Sequence, residues 1–314
     1  MDLITEVLSQ KPRSRKKERI LKLTAIFFIL VVIPFMVYAL FEIPETLEIF
    51  KPSEIILGAH RGNSVDYMEN TLPAFQSALK KEKYKFIEFD VQYTKDKQPV
   101  VHHDESLIRI QKKFDYLEDL TYEELLEVSD YHIPTYKEVM DLLAGKKPLN
   151  IEIKSQGNSE DDIKLTDYVI SDCTEREILN TTIISSISSD VINYLKDNYP
   201  EMKTGKIYYV YAGSFIDSEA LISRVFEEAD ELETDYLMIY GANLKHFGTL
   251  WREIWHRERT NQRKIFLAYW YFTDEMYLVH KVNQSNYYED PLTRRMIMNE
   301  SIIVPPETIG AWWT

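Results

Sequence analysis

The chain has 314 residues, 45% of them hydrophobic, so it is long enough for one large or two small domains with a sizeable core. Its formal net charge of −14 argues against a general nucleic-acid binder, because affinity for a phosphate backbone requires a basic face. The single cysteine, Cys173, excludes an intramolecular disulfide and multi-cysteine metal sites, and we interpret it as a buried apolar residue.

The N-terminal part combines a basic cluster with an apolar segment. Residues 1–22 carry seven basic and three acidic side chains, and residues 23–41, LTAIFFILVVIPFMVYALF, carry no charge. This length is close to the ~20 residues that a helix needs to cross a bilayer, and the positive-inside rule places the basic cluster in the cytoplasm. We therefore expect a cytoplasmic tail (1–22), a single transmembrane helix in the lipid bilayer of the cell membrane (23–41), a linker (42–53) and an extracytoplasmic domain (54–314).

Two alternatives to this anchor are a cleavable signal peptide, with small-residue character near Val37-Tyr38-Ala39, and a buried core helix. The apolar segment is longer than the 7–15 residues usual in a signal peptide. A core helix would leave the basic flank without a purpose. We favour the uncleaved anchor.

After the linker, short β-rich segments alternate with helical segments. The first strand is predicted at 54–60, and a helix begins within NTLPAFQSALKK, with Asn70 or Thr71 as the N-cap and a proline in its first turn. The strand KFIEFDVQY (85–93) leads through the turn TKDKQP to VVHHD (100–104). We expect this second segment to be the return arm of a hairpin.

The remaining chain continues the alternation. Helices are predicted at TYEELLEV and PTYKEVMDLLAG, and near 160–172, 189–197, 217–230, 247–258 and 273–282. Strands are predicted at 148–154, 181–187, 205–212, 235–240, 264–271 and 301–304. Without the hairpin arm there are eight strands, most followed by a helix, which is the pattern of a parallel sheet. We predict an α/β fold of the (β/α)8 TIM barrel type, for which ~250 residues are typical. An open doubly wound sheet is the alternative, but no glycine-rich phosphate loop follows the first strand.

Acidic side chains in two predicted strands share one face. Residues two apart in a strand point the same way, so Glu88 and Asp90 in KFIEFDVQ project from the face opposite their apolar neighbours. Glu152 and Lys154 in NIEIK share a face in the same way. A half-exposed sheet explains either strand alone. In a barrel, however, both faces are covered, and charged side chains in the interior are tolerated chiefly at the C-terminal rim, where active sites lie.

Histidines and cationic side chains accompany these acids. His60 and Arg61 end the first strand, and HHD occupies 102–104. The three carboxylates form an oxygen ligand set suited to Ca²⁺ or Mg²⁺, while imidazoles supply acid and base near neutral pH. Arg61 and Lys154 supply positive charge for an anion. This combination indicates phosphate ester chemistry. Strand alternation does not choose between the two neighbouring histidines, His102 and His103.

Four segments resemble successive motifs of the glycerophosphodiester phosphodiesterase family: AHRGNSVDYMENTLPAF, FIEFDVQYTKDKQPVVHHDESL, LEDLTYEELLEV…IPTYKEVMDLL and LNIEIK. The resemblance is nearly continuous over residues 55–155 and keeps the order and spacing of the motifs. It weakens toward the C-terminus, where Ser186-Ile187 stands at the family's Ser-Phe pair and Trp270 matches its tryptophan strand.

The resemblance implies a barrel of the phospholipase-C-like phosphodiesterase type that hydrolyses glycerophosphodiesters to glycerol 3-phosphate and an alcohol. It also implies three roles for residues of this chain. The divalent cation, Ca²⁺ or Mg²⁺, would be held by Glu88, Asp90 and Glu152. The acid/base pair would be His60 and His103. The substrate would be bound by Arg61, Lys154 and Trp270.

Other positions are ambiguous or depart from the family pattern. Glu69 and Asn70 match the family's ENT motif, where capping and packing of the first helix is the alternative to substrate contact. Lys97 stands in the hairpin turn where the family usually has glycine, which we expect to alter the turn type and not the chemistry. The segment NESIIVPPETIGAWW replaces the family's closing motif, so the family gives no guide to the strand predicted at 301–304 or to the rim beside it.

The sequence leads to three alternative hypotheses for the function. The first is a membrane-tethered, metal-dependent phosphodiesterase acting outside the membrane on glycerophosphodiesters or on a glycerophosphate polymer of an envelope. The second is a lyase-type phospholipase that stops at a cyclic phosphate. The third is an inactive domain that binds at the surface. Every matching position is filled, which argues against the third.

Overall fold

The structure, a computed structural model, describes residues 24, 27, 49–208, 218–240, 247–260, 262–270 and 275–285. The chain divides into two compact units, residues 1–48 with 286–288, and residues 49–285 with 289–314. In the first unit the described residues are Thr24 and Phe27, both helical. None of the helices described is long and apolar enough to cross a membrane. The predicted strand at 301–304, and the predicted tail and transmembrane helix apart from those two residues, lie outside the described residues.

The second unit is built on one nine-stranded sheet. Its strands are β1 (Ile49–Ala59), β2 (Phe86–Tyr93), β3 (Pro99–Val101), β4 (Leu149–Ile153), β5 (Thr182–Ser186), β6 (Lys203–Tyr208), β7 (Tyr236–Tyr240), β8 (Phe266–Trp270) and β9 (Glu275–Ser285). The sheet order is β1-β9-β8-β7-β6-β5-β4-β2-β3, and a further pairing of β1 with β2 closes every strand except β3 into an eight-stranded barrel. The predicted barrel is therefore confirmed. β1 begins at Ile49, so the residues from 49 to 53 that were expected in the linker belong to the strand.

One predicted element is wrong. The segment predicted as a helix at 273–282 forms β9, which runs antiparallel to both β1 and β8, whereas the other seven barrel strands are parallel. Its side chains alternate as in a strand, since Met276 and Leu278 join the apolar cluster inside the barrel while Tyr277 and Val279 pack in the cluster outside it. β9 takes the eighth place in the barrel.

Helices cover the outside of the barrel. They are α1 (Leu72–Lys80), α2 (Ile108–Gln111), α3 (Tyr122–Val128), α4 (Tyr136–Leu143), α5 (Ser159–Glu175), α6 (Ser189–Asn198), α7 (Ser218–Glu231) and α8 (Phe247–Arg257). Thr71, and not Asn70, caps α1, because its side chain accepts a hydrogen bond from the amide of Ala74. Reciprocal capping boxes start α3 and α4, through Thr121 and Thr135.

The alternation of β2 separates two layers of the core. Phe86 belongs to a cluster formed by strand residues alone, which fills the barrel interior, and its ring lies where a Cβ on Gly58 would come within 2.2 Å. Phe89 belongs to the outer cluster, together with Phe75 of α1 and Tyr136 of α4. Glu88 and Asp90 lie on the same side of β2 as Phe86, and they therefore face the barrel interior.

The β2–β3 hairpin is antiparallel, as predicted, with Val91 opposite Val101. Its turn contains a left-handed residue that is not glycine. Lys97 has a φ of 61°, a region that glycine enters at the lowest cost, and its Nζ lies 2.8 Å from Asp161 Oδ2. The left-handed position of the turn is therefore filled without glycine.

Candidate active site

Three carboxylates converge at the C-terminal end of the barrel strands. Glu88 and Asp90 come from β2 and Glu152 comes from β4, where Asp90 and Glu152 are register partners. One oxygen from each of the three lies within 4.8 Å of the others. Glu88 and Asp90 are buried, and Glu152 is partly buried. The face shared by Glu88 and Asp90 is therefore a site in the barrel and not a solvated surface.

Neighbouring side chains and one main-chain amide hold these carboxylates in place. The Arg61 amide donates to Glu88 Oε2 at 2.7 Å, and Asn70 Nδ2 donates to Asp90 Oδ2 at 2.7 Å. Lys154 Nζ donates to Glu152 Oε1 at 2.7 Å and lies 3.8 Å from Asp90 Oδ1. The Arg61 guanidinium adds an ion pair, with its Nε 3.4 Å from Asp90 Oδ2.

The charges and donor atoms of this cluster fit a hard divalent cation. Two cationic side chains, Arg61 and Lys154, lie against three carboxylates, which leaves an excess of negative charge. Asp90 Oδ1 is buried and has no hydrogen-bond partner among the described residues. Oxygen ligands alone are the set that Ca²⁺ and Mg²⁺ prefer. Glu88, Asp90 and Glu152 are thus the residues that would hold such an ion.

The environments of Glu88 and Asp90 separate their pKa values. Burial, together with the negative charge of Asp90, raises the pKa of Glu88 well above its usual range. Burial also acts to raise the pKa of Asp90, but the nearby His103, Arg61 and Lys154 side chains outweigh it and lower that pKa. Asp90 is accordingly the carboxylate that stays ionised, and Glu88 is the one that resists ionisation without a nearby cation.

Two residues next to the carboxylates have an unusual backbone conformation. Arg61 and Asn70 have φ values of 58° and 56°, which place both residues in the left-handed region. The Asn70 amide donates to the Arg61 carbonyl at 2.9 Å. This conformation lets Arg61 present both its amide and its guanidinium to the cluster. Backbone strain of this kind is typical of functional sites.

His60 lies directly against the carboxylate cluster. Its Nε2 is 3.8 Å from Glu88 Oε2, and its ring centroid is 6.0 Å from that of Trp270 at the end of β8. Burial and the charge of Arg61 hold the pKa of His60 well below 6.5, although Asp90 acts in the opposite direction. His60 is therefore neutral at neutral pH.

The two neighbouring histidines occupy different environments. His103 is partly exposed, and its Nδ1 lies 2.7 Å from Asp104 Oδ1. Its proximity contributes to lowering the pKa values of both Asp90 and His60. His102 is buried, and burial lowers its pKa. The two histidines therefore differ in exposure, and His103 is the one with a carboxylate partner at its ring nitrogen.

A charged network extends from the site across two loops. Glu69 Oε1 accepts from Arg61 Nη1 at 2.9 Å and from Arg109 Nη2 at 2.5 Å. Arg109 Nε donates to Asp104 Oδ2 at 2.6 Å. Asp104 in turn contacts His103. The network thereby links the loop after β1 to the loop after β3.

The structure brings most of the predicted site residues to one rim. Contacts connect the three carboxylates to the other groups. His60 lies against Glu88 and beside Trp270, and the two cationic side chains lie against Asp90. Sequence reasoning missed three residues, namely Asn70 as the partner of Asp90, and Asp104 and Arg109. A signal was available, because all three lie in or just after the segments that resemble the family. The resemblance indicates which positions belong to the family motifs, but it does not show which side chains contact each other.

An eight-stranded barrel with carboxylates, histidines and cationic side chains at its C-terminal rim is typical of barrel enzymes that act on phosphate esters. The family model described as the glycerophosphoryl diester phosphodiesterase family matches residues 60–246, and the chain belongs to this family.

Individual relatives support this assignment. A glycerophosphodiester phosphodiesterase from Caldanaerobacter subterraneus subsp. tengcongensis is 34% identical over 161 residues, which cover 48% of this chain and 65% of the relative. Human lysophospholipase D GDPD1 is 38% identical over 116 residues, which cover 32% of this chain and 36% of the relative. The matched regions thus span less than two thirds of these two relatives.

Solved structures show the same fold. A glycerophosphodiester phosphodiesterase from Thermotoga maritima superimposes with a TM-score of 0.52 at 26% identity, over 78% of this chain and 90% of that one. A second one, from Parabacteroides distasonis, gives a TM-score of 0.51 at 18% identity, over 84% of this chain and 98% of that one. Because the sequence identity is only 18%, the second comparison supports the fold alone.

Proposed function

We propose that this protein hydrolyses glycerophosphodiesters to glycerol 3-phosphate and an alcohol, with help from a divalent cation. The observation that carries the proposal is the convergence of three carboxylate oxygens within 4.8 Å, beside His60 and two cationic side chains. Membership of the glycerophosphoryl diester phosphodiesterase family supports the choice of substrate.

Different side chains bind different parts of the substrate. Arg61 and Lys154 supply positive charge for the phosphate, and their contacts with the carboxylates fix both side chains before substrate arrives. Trp270, beside His60, offers an apolar wall for the glycerol or the leaving alcohol. When bound by Glu88, Asp90 and Glu152, Ca²⁺ or Mg²⁺ would add positive charge for the phosphoryl oxygens.

His60 and His103 act as an acid/base pair in two steps. In the first step, one imidazole takes the proton of the glycerol 2-hydroxyl as its oxygen forms a bond to phosphorus. The other imidazole gives a proton to the alcohol oxygen as its bond to phosphorus breaks, which leaves a cyclic phosphate. In the second step, the two histidines exchange roles. One imidazole takes a proton from a water as the water oxygen forms a bond to phosphorus, and the other returns a proton to the 2-oxygen as its bond to phosphorus breaks, which gives glycerol 3-phosphate.

We further propose that the enzyme is anchored by residues 23–41 with its barrel outside the cell membrane. The support is the uncharged segment that follows a basic cluster in the sequence. Substrates available there include free glycerophosphodiesters and glycerophosphate polymers of an envelope. Resistance of the protein to carbonate extraction, and digestion of the barrel by protease added to intact cells, would support this placement. Recovery of the full-length chain in the soluble fraction would contradict it.

The decisive experiment assays the full-length protein on glycerophosphocholine, glycerophosphoglycerol and a lysophospholipid, with Ca²⁺, Mg²⁺ or a chelator. We expect release of glycerol 3-phosphate when the metal is present and not when it is chelated, and ³¹P NMR measures this release. Accumulation of a cyclic phosphate would identify the lyase alternative. No cleavage of any diester with metal present would support the inactive binding domain and contradict the proposal.

Histidine variants test the acid/base pair in the same assay. We expect His60→Ala and His103→Ala to lower kcat by about a hundredfold or more, because each removes one proton-transfer group. His132→Ala is the control, since His132 is exposed and contacts Glu138 instead of the site. Unchanged activity in both site variants would contradict the assignment.

A further inference from the structure

Arg109, in the short helix α2, is the junction of the charged network beside the site. Its Nη1 and Nη2 atoms donate to the two oxygens of Glu69 at 3.0 and 2.5 Å. Its Nε donates to Asp104 Oδ2 at 2.6 Å. A single guanidinium therefore binds two carboxylates in different loops, which uses the planar fork that distinguishes arginine from lysine.

The Asp104 branch ends at a candidate acid/base residue. Asp104 uses one carboxylate oxygen for Arg109 and the other for Nδ1 of His103, at 2.7 Å. A carboxylate can only accept, so this contact assigns the proton of the ring to Nδ1 in neutral His103. Nε2 is then the nitrogen that exchanges a proton with substrate. The orientation of a catalytic imidazole by a carboxylate is a general requirement of such pairs.

The Glu69 branch ends at the proposed phosphate-binding arginine. Glu69 Oε1 accepts from Arg61 Nη1 at 2.9 Å as well as from Arg109. The side chain of Glu69 is only 17% exposed, so its contact with Arg61 is shielded from competing water. Arg61 is thus held on one side by Asp90 and on the other side by Glu69.

Stability is one effect of this arrangement. The Arg109 side chain is 47% exposed, while Glu69 and Asp104 are only 17% and 20% exposed, so its ion pairs are partly screened by solvent. Both branches nevertheless lead to side chains of the site. A contact that fixes two working groups of the site has a positioning role in addition to any effect on stability.

We propose that Arg109 is a positioning residue of this active site, which fixes His103 through Asp104 and Arg61 through Glu69. The inference rests on the proposed function, since it concerns the same reaction. It predicts that one substitution outside the site affects both proton transfer and phosphate binding.

The test measures kcat and KM separately for Arg109→Met in the full-length protein. We expect kcat to fall about tenfold to a hundredfold, by analogy with the loss of outer partners that orient metal-bound histidines. KM should rise as Arg61 loses its support. Arg109→Lys should recover part of both, because it restores the charge but not the two-sided fork.

Double variants separate the two branches. If Arg109 acts on His103 through Asp104, most of the kcat loss of Arg109→Met should disappear in an Asp104→Asn background. Likewise, most of its KM increase should disappear in a Glu69→Gln background. Arg176→Met is the matched control, because Arg176 also bridges two carboxylates, Asp172 and Asp141, but on the outer helices. We expect wild-type kinetics for this control.

Nitrogen NMR of the histidine rings gives a readout independent of turnover. The long-range ¹H–¹⁵N pattern of His103, assigned with His103→Gln, should show protonation at Nδ1 in the wild type and a mixed tautomer in Arg109→Met. Unchanged ring signals, wild-type kinetics in Arg109→Met, or fully additive losses in the double variants would overturn the inference. If the wild type cleaves no diester, the proposed function fails, and the ring signals still decide on Arg109.

Discussion

Lys147 lies partly buried between the end of α1 and the start of β2, where it donates to three main-chain carbonyls. Its Nζ is 3.1 Å from the oxygen of Ala78, 2.9 Å from that of Lys81 and 2.6 Å from that of Tyr84. The Ala78 and Lys81 carbonyls also accept from the amides of Lys81 and Tyr84, so the Tyr84 carbonyl is the acceptor that loses its donor, at a cost of about 1–3 kcal/mol. We predict that Lys147→Met lowers the free energy of unfolding by about 2 kcal/mol, measured by urea denaturation.

Lys137→Met is the control for this prediction. Lys137 forms an exposed pair with Asp141 one turn along α4, and such pairs contribute about 0.3–0.5 kcal/mol. Equal losses in the two variants would show that the carbonyl contacts of Lys147 do not matter.

Side-chain direction at the site was predictable, but side-chain partners were not. Alternation along β2 predicts that Glu88 and Asp90 share a face, because the period of a strand is fixed by its backbone. The pairing of Asn70 with Asp90, or of Arg109 with Glu69, joins loops whose approach depends on the whole barrel. Asn70 also illustrates how a local rule fails, since it was a candidate cap for α1 and instead binds a carboxylate.

Among the elements, β9 departs most from the expected pattern. A helix was predicted at 273–282 because the alternation of strand and helix in the preceding chain was extended by one more unit. The segment EMYLVHKVNQS instead has the β-branched and aromatic residues and the two-residue burial period of a strand. The earlier strands and helices were predictable because their periods and caps agreed with each other.

His280 in β9 makes the stability of the barrel sensitive to acid. Its Nε2 lies 3.2 Å from the Tyr236 hydroxyl, and its ring centroid is 4.8 Å from that of Phe266. Burial, with a smaller effect from Lys203, lowers its pKa to about 4. Between pH 6.5 and about 4 the unfolded chain binds this proton and the folded chain does not, so stability falls as pH falls.

We predict that His280→Gln reduces the loss of unfolding free energy between pH 6.5 and 4 by about 3 kcal/mol relative to the wild type. Urea denaturation at several pH values measures the difference. His132→Gln, at an exposed position, should keep the wild-type slope. Parallel curves for the wild type and His280→Gln would contradict the assigned effect.

In the molecule as a whole, the barrel was predictable from the sequence, but the way the barrel closes was not. The alternation of elements and the resemblance over residues 55–155 both indicated eight strands. Closure by an antiparallel strand depends on how the last strand fits between β1 and β8, which is a property of the assembled sheet. The N-terminal anchor remains a prediction.

Cation binding should act on the stability of the whole barrel. Burial and the negative charge of Asp90 raise the pKa of Glu88, so its carboxyl group is costly to ionise in the folded chain, and Glu88→Gln should raise the free energy of unfolding without metal by about 1–2 kcal/mol. The same change should abolish the increase in Tm that Ca²⁺ or Mg²⁺ gives the wild type, because a ligand stabilises only the state that binds it. Differential scanning calorimetry with and without cation measures both effects.

Glu258→Gln is the matched control for Glu88→Gln. Burial also raises the pKa of Glu258, but this residue follows α8 on the outside of the barrel. We expect this control to keep the cation response. An equal response in Glu88→Gln would exclude Glu88 as a ligand.

The antiparallel direction of β9 also determines where the polypeptide enters and leaves the barrel. Ile49, the first residue of β1, is the register partner of Ser285, the last residue of β9. Both ends therefore lie side by side at the pole opposite the carboxylate cluster. The chain therefore enters β1 and leaves β9 at the pole away from the site. Among the described residues, the carboxylate cluster and its charged network come from strands and loops between these two ends, so a change at either end reaches them only through the barrel.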